Sequence, residues 1–291
     1  MAVPPGAPSG DPPRAVSVRL IASDLDGTLL RSDRTVSDRT RAALRCVREA
    51  GIVVVLATAR PPYTTRLIAR DAGVGGLAIC SNGALIYDLD RDVVVRQTPL
   101  LAKAARRLVA ALRLALPGVC FACVQGTAFA AEPDYVASAR TQDHGRLLET
   151  VQLGDALDLL TTTTTKLIVR HVNHGPDELV AIVRELDVDG LEITHSNAPF
   201  VEVFATGVTK AWALASLCAD LGIEAQEVVA FGDAPNDIAL LRWAGHGVAV
   251  ANAHPSVIDE VDEVTRSNDE DGVAIVLERI LYEINEVCLP S

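Results

Sequence analysis

The sequence predicts an α/β protein: a doubly wound, Rossmann-like parallel sheet interrupted by an inserted α/β domain. Two observations carry this. Strand-like apolar runs alternate with helix-like patterns at both ends of the chain, which is the signature of βαβ units. Between about 85 and 200 the alternation gives way to a mixed segment long enough to fold as a unit of its own. In order, 16–22 reads as a buried strand and 37–50 as a helix, with Ser37 before it and Gly51 after it as punctuation. A strand from Ile52, a helix after Pro61-Pro62 and a strand ending near Cys80 follow. The inserted segment holds an alanine- and leucine-rich helix over 101–116, strands over 119–124 and 166–170, and a helix over 176–186. Thr161 to Thr165, a β-branched run, reads as the approach to a strand. The pattern then resumes: a helix over 210–221, a strand at Val228, a helix opened by Pro235, a strand over 247–250 and a last helix over 272–284. The expected division is a disordered tail over 1–15, a core made of 16–84 and 201–291, and the insertion over 85–200.

At 291 residues and 49% apolar content the chain can bury a substantial core. Its net charge of −12 argues against nucleic acid or an anionic membrane as partner, since both demand basic surface. No apolar run approaches the roughly 20 residues that span a bilayer. The proline-rich start lacks the apolar stretch of a secretory signal, so the expected location is the cytoplasm. Six cysteines scattered mostly through apolar runs fit buried, reduced thiols. Cys120-Phe121-Ala122-Cys123 has a redox-like spacing, but it falls in a strand and lacks a second ligand pair.

The chemistry concentrates at strand ends. Ser23-Asp24-Leu25-Asp26-Gly27-Thr28 sets two carboxylates just past the first strand, at the edge where open α/β sheets bind ligands. A carboxylate there can hold a hard cation such as Mg²⁺ or attack phosphorus, while its neighbour serves as general acid and base. Read alone, the same residues also make an acidic turn closing a strand. Phe231-Gly232-Asp233-Ala234-Pro235-Asn236-Asp237 repeats the grammar, and Pro235 places Asn236 and Asp237 near a helix N-terminus, where capping is the other reading. Thr58, ending the Ile52 strand, offers a hydroxyl to a phosphate oxygen. Lys210, opening a helix after Gly207, can neutralise phosphate charge and hold two carboxylates together.

These four segments, in this order, resemble the haloacid dehalogenase-like hydrolase superfamily, and within it the Cof-type phosphatases with a large α/β cap (type IIB). The similarity runs from about Val18 to Leu281 and takes in Ser81-Asn82-Gly83-Ala84, Pro199-Phe200-Val201-Glu202-Val203 and the 267–274 segment. The resemblance implies a Mg²⁺-dependent phosphatase acting on a small soluble phosphate monoester through an aspartyl phosphate. By position it makes Asp24 the nucleophile and Asp26 the general acid and base. Thr58, Lys210 and Asn236 become phosphate binders; Asp24, Asp26 (through its carbonyl) and Asp233 become metal ligands, with Asp237 a ligand or just behind. Ala59 and Ala211 depart from the family's usual glycines, adding a methyl at each place and removing no functional group.

The insertion would then be the cap that excludes water and selects the leaving group. Asn82, His195, Asn197 and Glu202, near the expected junctions, are candidates for that selection. The same residues would serve a phosphomutase, which passes the phosphoryl group to a second hydroxyl. A non-catalytic sensor of a phosphorylated metabolite is the reading from another class, and the paired Asp24 and Asp26 count against it.

Overall fold

The computed structural model describes residues 18–139, 151–261 and 263–287; the tail expected over 1–15, and Cys288, lie outside them. In chain order the strands are β1 (Leu20–Ser23), β2 (Val53–Leu56), β3 (Leu77–Cys80), β4 (Leu85–Asp88), β5 (Val93–Gln97), β6 (Cys120–Gln125) and β7 (Ala128–Ala131). They continue as β8 (Gln152–Leu153), β9 (Thr164–Arg170), β10 (Leu191–Thr194), β11 (Val201–Ala205), β12 (Val228–Gly232), β13 (His246–Ala249) and β14 (Glu263–Val264).

The core is a parallel sheet in the order β14-β13-β12-β1-β2. β1 is central and every one of its residues is buried, because helices cover both faces; that is why it reads as a continuous apolar run rather than an alternation. The helix Asp38–Glu49 buries Thr40, Ala43, Leu44 and Val47, one stripe at the helical period, and Ser37 caps it by accepting from the Thr40 N–H. β3 lies beside β2 through a single parallel bridge, Ala57 to Ile79, and continues antiparallel into β4 and β5.

The second sheet runs β10-β11-β9-β6-β7-β8, antiparallel except between β7 and β8. One face packs under the helices Ala102–Ala115 and Pro176–Glu185, with Leu108, Leu112, Leu179 and Val183 against Phe121, Leu167 and Val169. The opposite face carries Ala122, Val124, Phe129 and Ile168. Cys120 and Cys123 point to opposite faces of β6 and are free, as the period of two dictates for residues three apart.

Strands pair across both expected boundaries. β4, assigned by the sequence reading to the insertion, pairs with β3, and β5 pairs with β4; Leu85, Tyr87 and Leu89 belong to the core's apolar cluster. β11, assigned to the returning core, pairs with β9 and β10 in the second sheet. Hairpin pairing decides both cases, and the partner of a strand is not written in the strand. Among the described residues no helix is long and apolar enough to cross a membrane.

Candidate active site

Three neighbouring strands deliver the expected residues to one place. Ser23 stands opposite Phe231 on one side and Leu56 on the other. The residues that follow, Asp24, Gly232-Asp233 and Ala57-Thr58, therefore emerge side by side at the carboxyl edge, strands being about 4.8 Å apart. The Asp24 N–H donates to the Phe231 carbonyl at 3.0 Å, and the Ala57 N–H to the Ser23 carbonyl at 2.8 Å, which extends the ladder to the threshold of the site.

Lys210 reaches the same edge from the first turn of the helix Lys210–Leu221, whose N-cap Thr209 accepts from the Trp212 N–H. Its Nζ, fully buried, donates to Asp24 Oδ1 at 2.6 Å and to Asp237 Oδ1 at 2.7 Å. Asp237 Oδ2 accepts from the backbone N–H groups of Asp233 and Ala234, each at 3.1 Å. The Thr28 hydroxyl donates to Asp233 Oδ1 at 2.7 Å. Gly27 has φ +80°, and a Cβ there would lie 2.5 Å from Asp233 Oδ2, so a side chain at this turn would expel the carboxylate.

Asp24, Asp233 and Asp237 bring carboxylate oxygens within 4.8 Å of one another, all buried. One ammonium among three carboxylates leaves negative charge in excess. Burial, reinforced by the neighbouring aspartates against the pull of Lys210, holds the Asp24 carboxyl well above its usual range. Burial and Asp237 push Asp233 up to about 7. Burial alone would lower Lys210, but Asp237 and Asp24 hold it above the ordinary lysine value. A compact, buried set of hard oxygen donors with uncompensated charge suits a small divalent cation such as Mg²⁺.

Asp26 is gripped differently. Arg60 Nε and an Arg60 terminal nitrogen donate to its two oxygens at 2.5 Å each, a bidentate fork. A cavity of about 400 Å³ opens beside it, lined by Asp26, Arg60, Lys166, Asn197, Phe129 and Phe200 among others. A larger one of about 570 Å³ touches Lys210 and Asn236 from another side but not Asp26.

The profile of the haloacid dehalogenase-like hydrolase family matches residues 21–277, nearly the whole chain. This chain belongs to that family. Its relatives include the 5-amino-6-(5-phospho-D-ribitylamino)uracil phosphatase YcsE of Bacillus subtilis, 32% identical over 89% of this chain and 94% of that protein. YitU of the same organism, bearing the same activity name, is 28% identical over 88% of this chain and 94% of that one. Among solved structures, a haloacid dehalogenase-like hydrolase from Bacteroides thetaiotaomicron aligns with TM-score 0.73 at 28% identity, covering 91% of this chain and 100% of its own. The hydrolase described here is accordingly a Cof-type phosphoric monoester hydrolase.

Of the residues expected in the site, the structure joins Asp24, Lys210, Asp237 and Asp233 in one cluster. Thr58 lies at the adjacent strand end, fully buried, with its Oγ1 accepting from the Arg60 N–H at 3.1 Å. Asn236 does not bond to the carboxylates; its Nδ2 donates to Asn82 Oδ1 at 2.8 Å. Of the cap candidates, Asn197 donates to Asp233 Oδ2 at 3.3 Å, Asn82 donates to Glu202 at 3.0 Å, and His195 faces Asp177 at 3.0 Å. Ala59, in place of glycine, lines the smaller cavity, and its carbonyl accepts from Lys166 at 3.0 Å. Sequence reasoning passed over Arg60 and Lys166. Arg60 follows Thr58 by two at the same strand end, and Lys166 interrupts an apolar strand, which are the signals each offered.

Proposed function

We propose that this hydrolase is a Mg²⁺-dependent phosphatase of a small phosphate monoester, working through an aspartyl phosphate on Asp24. The observation that carries the reading is the buried Asp24–Lys210–Asp237 bridge beside an Asp26 that faces a separate cavity. An Asp24 oxygen forms a bond to phosphorus as the ester P–O bond breaks, and Asp26 gives a proton to the departing alkoxide. Asp26 then takes a proton from water as the water oxygen bonds to phosphorus, the P–O bond to Asp24 breaks and inorganic phosphate leaves. Lys210 offsets negative charge between Asp24 and the phosphoryl oxygens, and Thr58 and Asn236 donate to those oxygens. Arg60 holds the Asp26 carboxylate toward the cavity where the leaving group sits.

Asp24, Asp233 and the Asp26 carbonyl are the groups that would hold Mg²⁺, which when bound supplies charge neutralisation for the phosphoryl oxygens. Asp237 spends three hydrogen bonds on Lys210 and two backbone amides, which supports a place behind the metal rather than on it. The second sheet is the cap in this reading, since Val124, Phe129 and Ile168 from it line the cavity facing Asp26. The relatives' activity nominates 5-amino-6-(5-phospho-D-ribitylamino)uracil as the first compound to test. A cytoplasmic location belongs to the same reading and is supported by free cysteines at 46, 80, 120, 123 and 218.

The test is phosphate release from that compound, sugar phosphates, nucleotides, flavin mononucleotide and pyridoxal phosphate, with MgCl₂ and with chelator. Release that needs the metal is the expected result. Transfer to a second hydroxyl without free phosphate would replace the hydrolase reading with a mutase, and metal-dependent binding without turnover would replace it with a sensor.

A further inference from the structure

A chain of hydrogen bonds runs from the second sheet into the core, and none of its members is used by the mechanism except the last. Lys166 on β9 donates to Glu202 Oε1 at 2.6 Å and Glu202 on β11 accepts at Oε2 from Asn82 Nδ2 at 3.0 Å. Asn82 Oδ1 in turn accepts from Asn236 Nδ2 at 2.8 Å. All four residues are buried, Glu202 to within 1% of its surface. An ionised carboxylate only accepts, whereas a primary amide offers a donor at one end and an acceptor at the other. Glu202, ion-paired to Lys166, therefore forces Asn82 to turn its NH₂ outward to it and its oxygen inward. That orientation forces Asn236 to present NH₂ to Asn82. One Nδ2 proton is consumed there and the second remains for another acceptor, while Asn236 Oδ1 is buried with no hydrogen-bond partner.

The backbone is built for this relay. Asn82 has φ +53°, a left-handed conformation that asparagine tolerates better than most side chains. Gly83 beside it has φ +100°, and a Cβ there would lie 2.2 Å from the Thr209 carbonyl oxygen, so the turn is seated against the start of the Lys210 helix.

We propose that Glu202 is a positioning residue for the phosphate site: acting through Asn82, its charge decides which way round the Asn236 amide stands. A phosphoryl oxygen accepts hydrogen bonds and donates none, so only one of the two amide orientations serves it. With a neutral amide at position 202 the Lys166 ammonium, which only donates, claims the amide oxygen and leaves the NH₂ facing Asn82, so the chain inverts and the Asn236 oxygen takes the place of its NH₂. The proposal rests on Asn236 being a phosphate contact, as proposed above.

The experiment is titration calorimetry of inorganic phosphate in MgCl₂ buffer with four variants: Glu202→Gln, Asn236→Ala, the double variant and Asn82→Gly, which keeps the left-handed backbone. Thermal melting checks that each is folded. Loss of one buried hydrogen bond to an anion predicts that Glu202→Gln and Asn82→Gly each weaken phosphate binding by about tenfold. The double variant is expected to bind no more weakly than Asn236→Ala alone. Losses that multiply in the double variant, or unchanged binding in Glu202→Gln, would overturn the relay. Unchanged binding in Asn236→Ala would instead remove the phosphate-contact reading and the relay with it. If Glu202→Gln does not fold, Asn82→Gly paired with Asn236→Ala decides by the same criterion.

Discussion

Asp24 is buried beside two other aspartates and held by one lysine, so its charge is costly wherever no further cation offsets it. This has opposite consequences for activity and for folding. In the proposed mechanism Asp24→Asn removes the attacking oxygen, and the variant should lower phosphate release by at least about a thousandfold. The same change removes buried like-charge repulsion at nearly constant volume, so the metal-free variant should melt no lower than the parent. Parallel kinetics and thermal melts check both; a variant with near-normal turnover would remove Asp24 from the nucleophile's place. The fork of Arg60 on Asp26 is the residue-scale feature that sequence reading missed, because an arginine at a strand end has no partner until the fold brings one from another strand.

At the scale of elements, the site is assembled from ends: three strand ends supply Asp24, Thr58 and Asp233, and one helix start supplies Lys210. Strand ends are rigid because the ladder behind them is buried, but a helix start depends on its cap. Thr209→Ala removes the hydroxyl that accepts from the Trp212 N–H and should cost about 1 kcal/mol in stability, read from chemical denaturation. Because Lys210 is the next residue, the change should also reduce kcat more than an equal stability loss at a remote surface position. The element pattern was legible: the helices over 38–49 and 210–221 and the strands β1, β2 and β12 fall where periodicity and punctuation put them. The hairpin β3-β4-β5 and the allegiance of β11 were not, since pairing partners are set by register and packing rather than by the strand's own residues.

Across the whole molecule, two cavities lie between the two sheets, and polar contacts join the sheets: Asn82 to Glu202, which is buried, and Lys166 to Ala59 and Asn197 to Asp233, which are part-buried. A cation that binds the folded carboxylate cluster but not the unfolded chain must stabilise the protein by mass action. At a concentration one hundred times its dissociation constant Mg²⁺ should add about 2.7 kcal/mol, seen as a rise in melting temperature that chelator reverses. Asp233→Asn should abolish most of that rise while leaving the metal-free melt close to the parent's. A rise of equal size in Asp233→Asn would place the cation elsewhere.

By itself the sequence determined the α/β class, the parallel core and the short list of residues at its carboxyl edge, because apolar periodicity and strand-end chemistry are local properties written in consecutive residues. Only the tertiary structure decided that Lys210 bridges Asp24 to Asp237, that Arg60 grips Asp26, and that Glu202 stands between Lys166 and Asn82. Those contacts join residues up to 186 positions apart, and a buried charge finds its partner through packing, which no local pattern encodes.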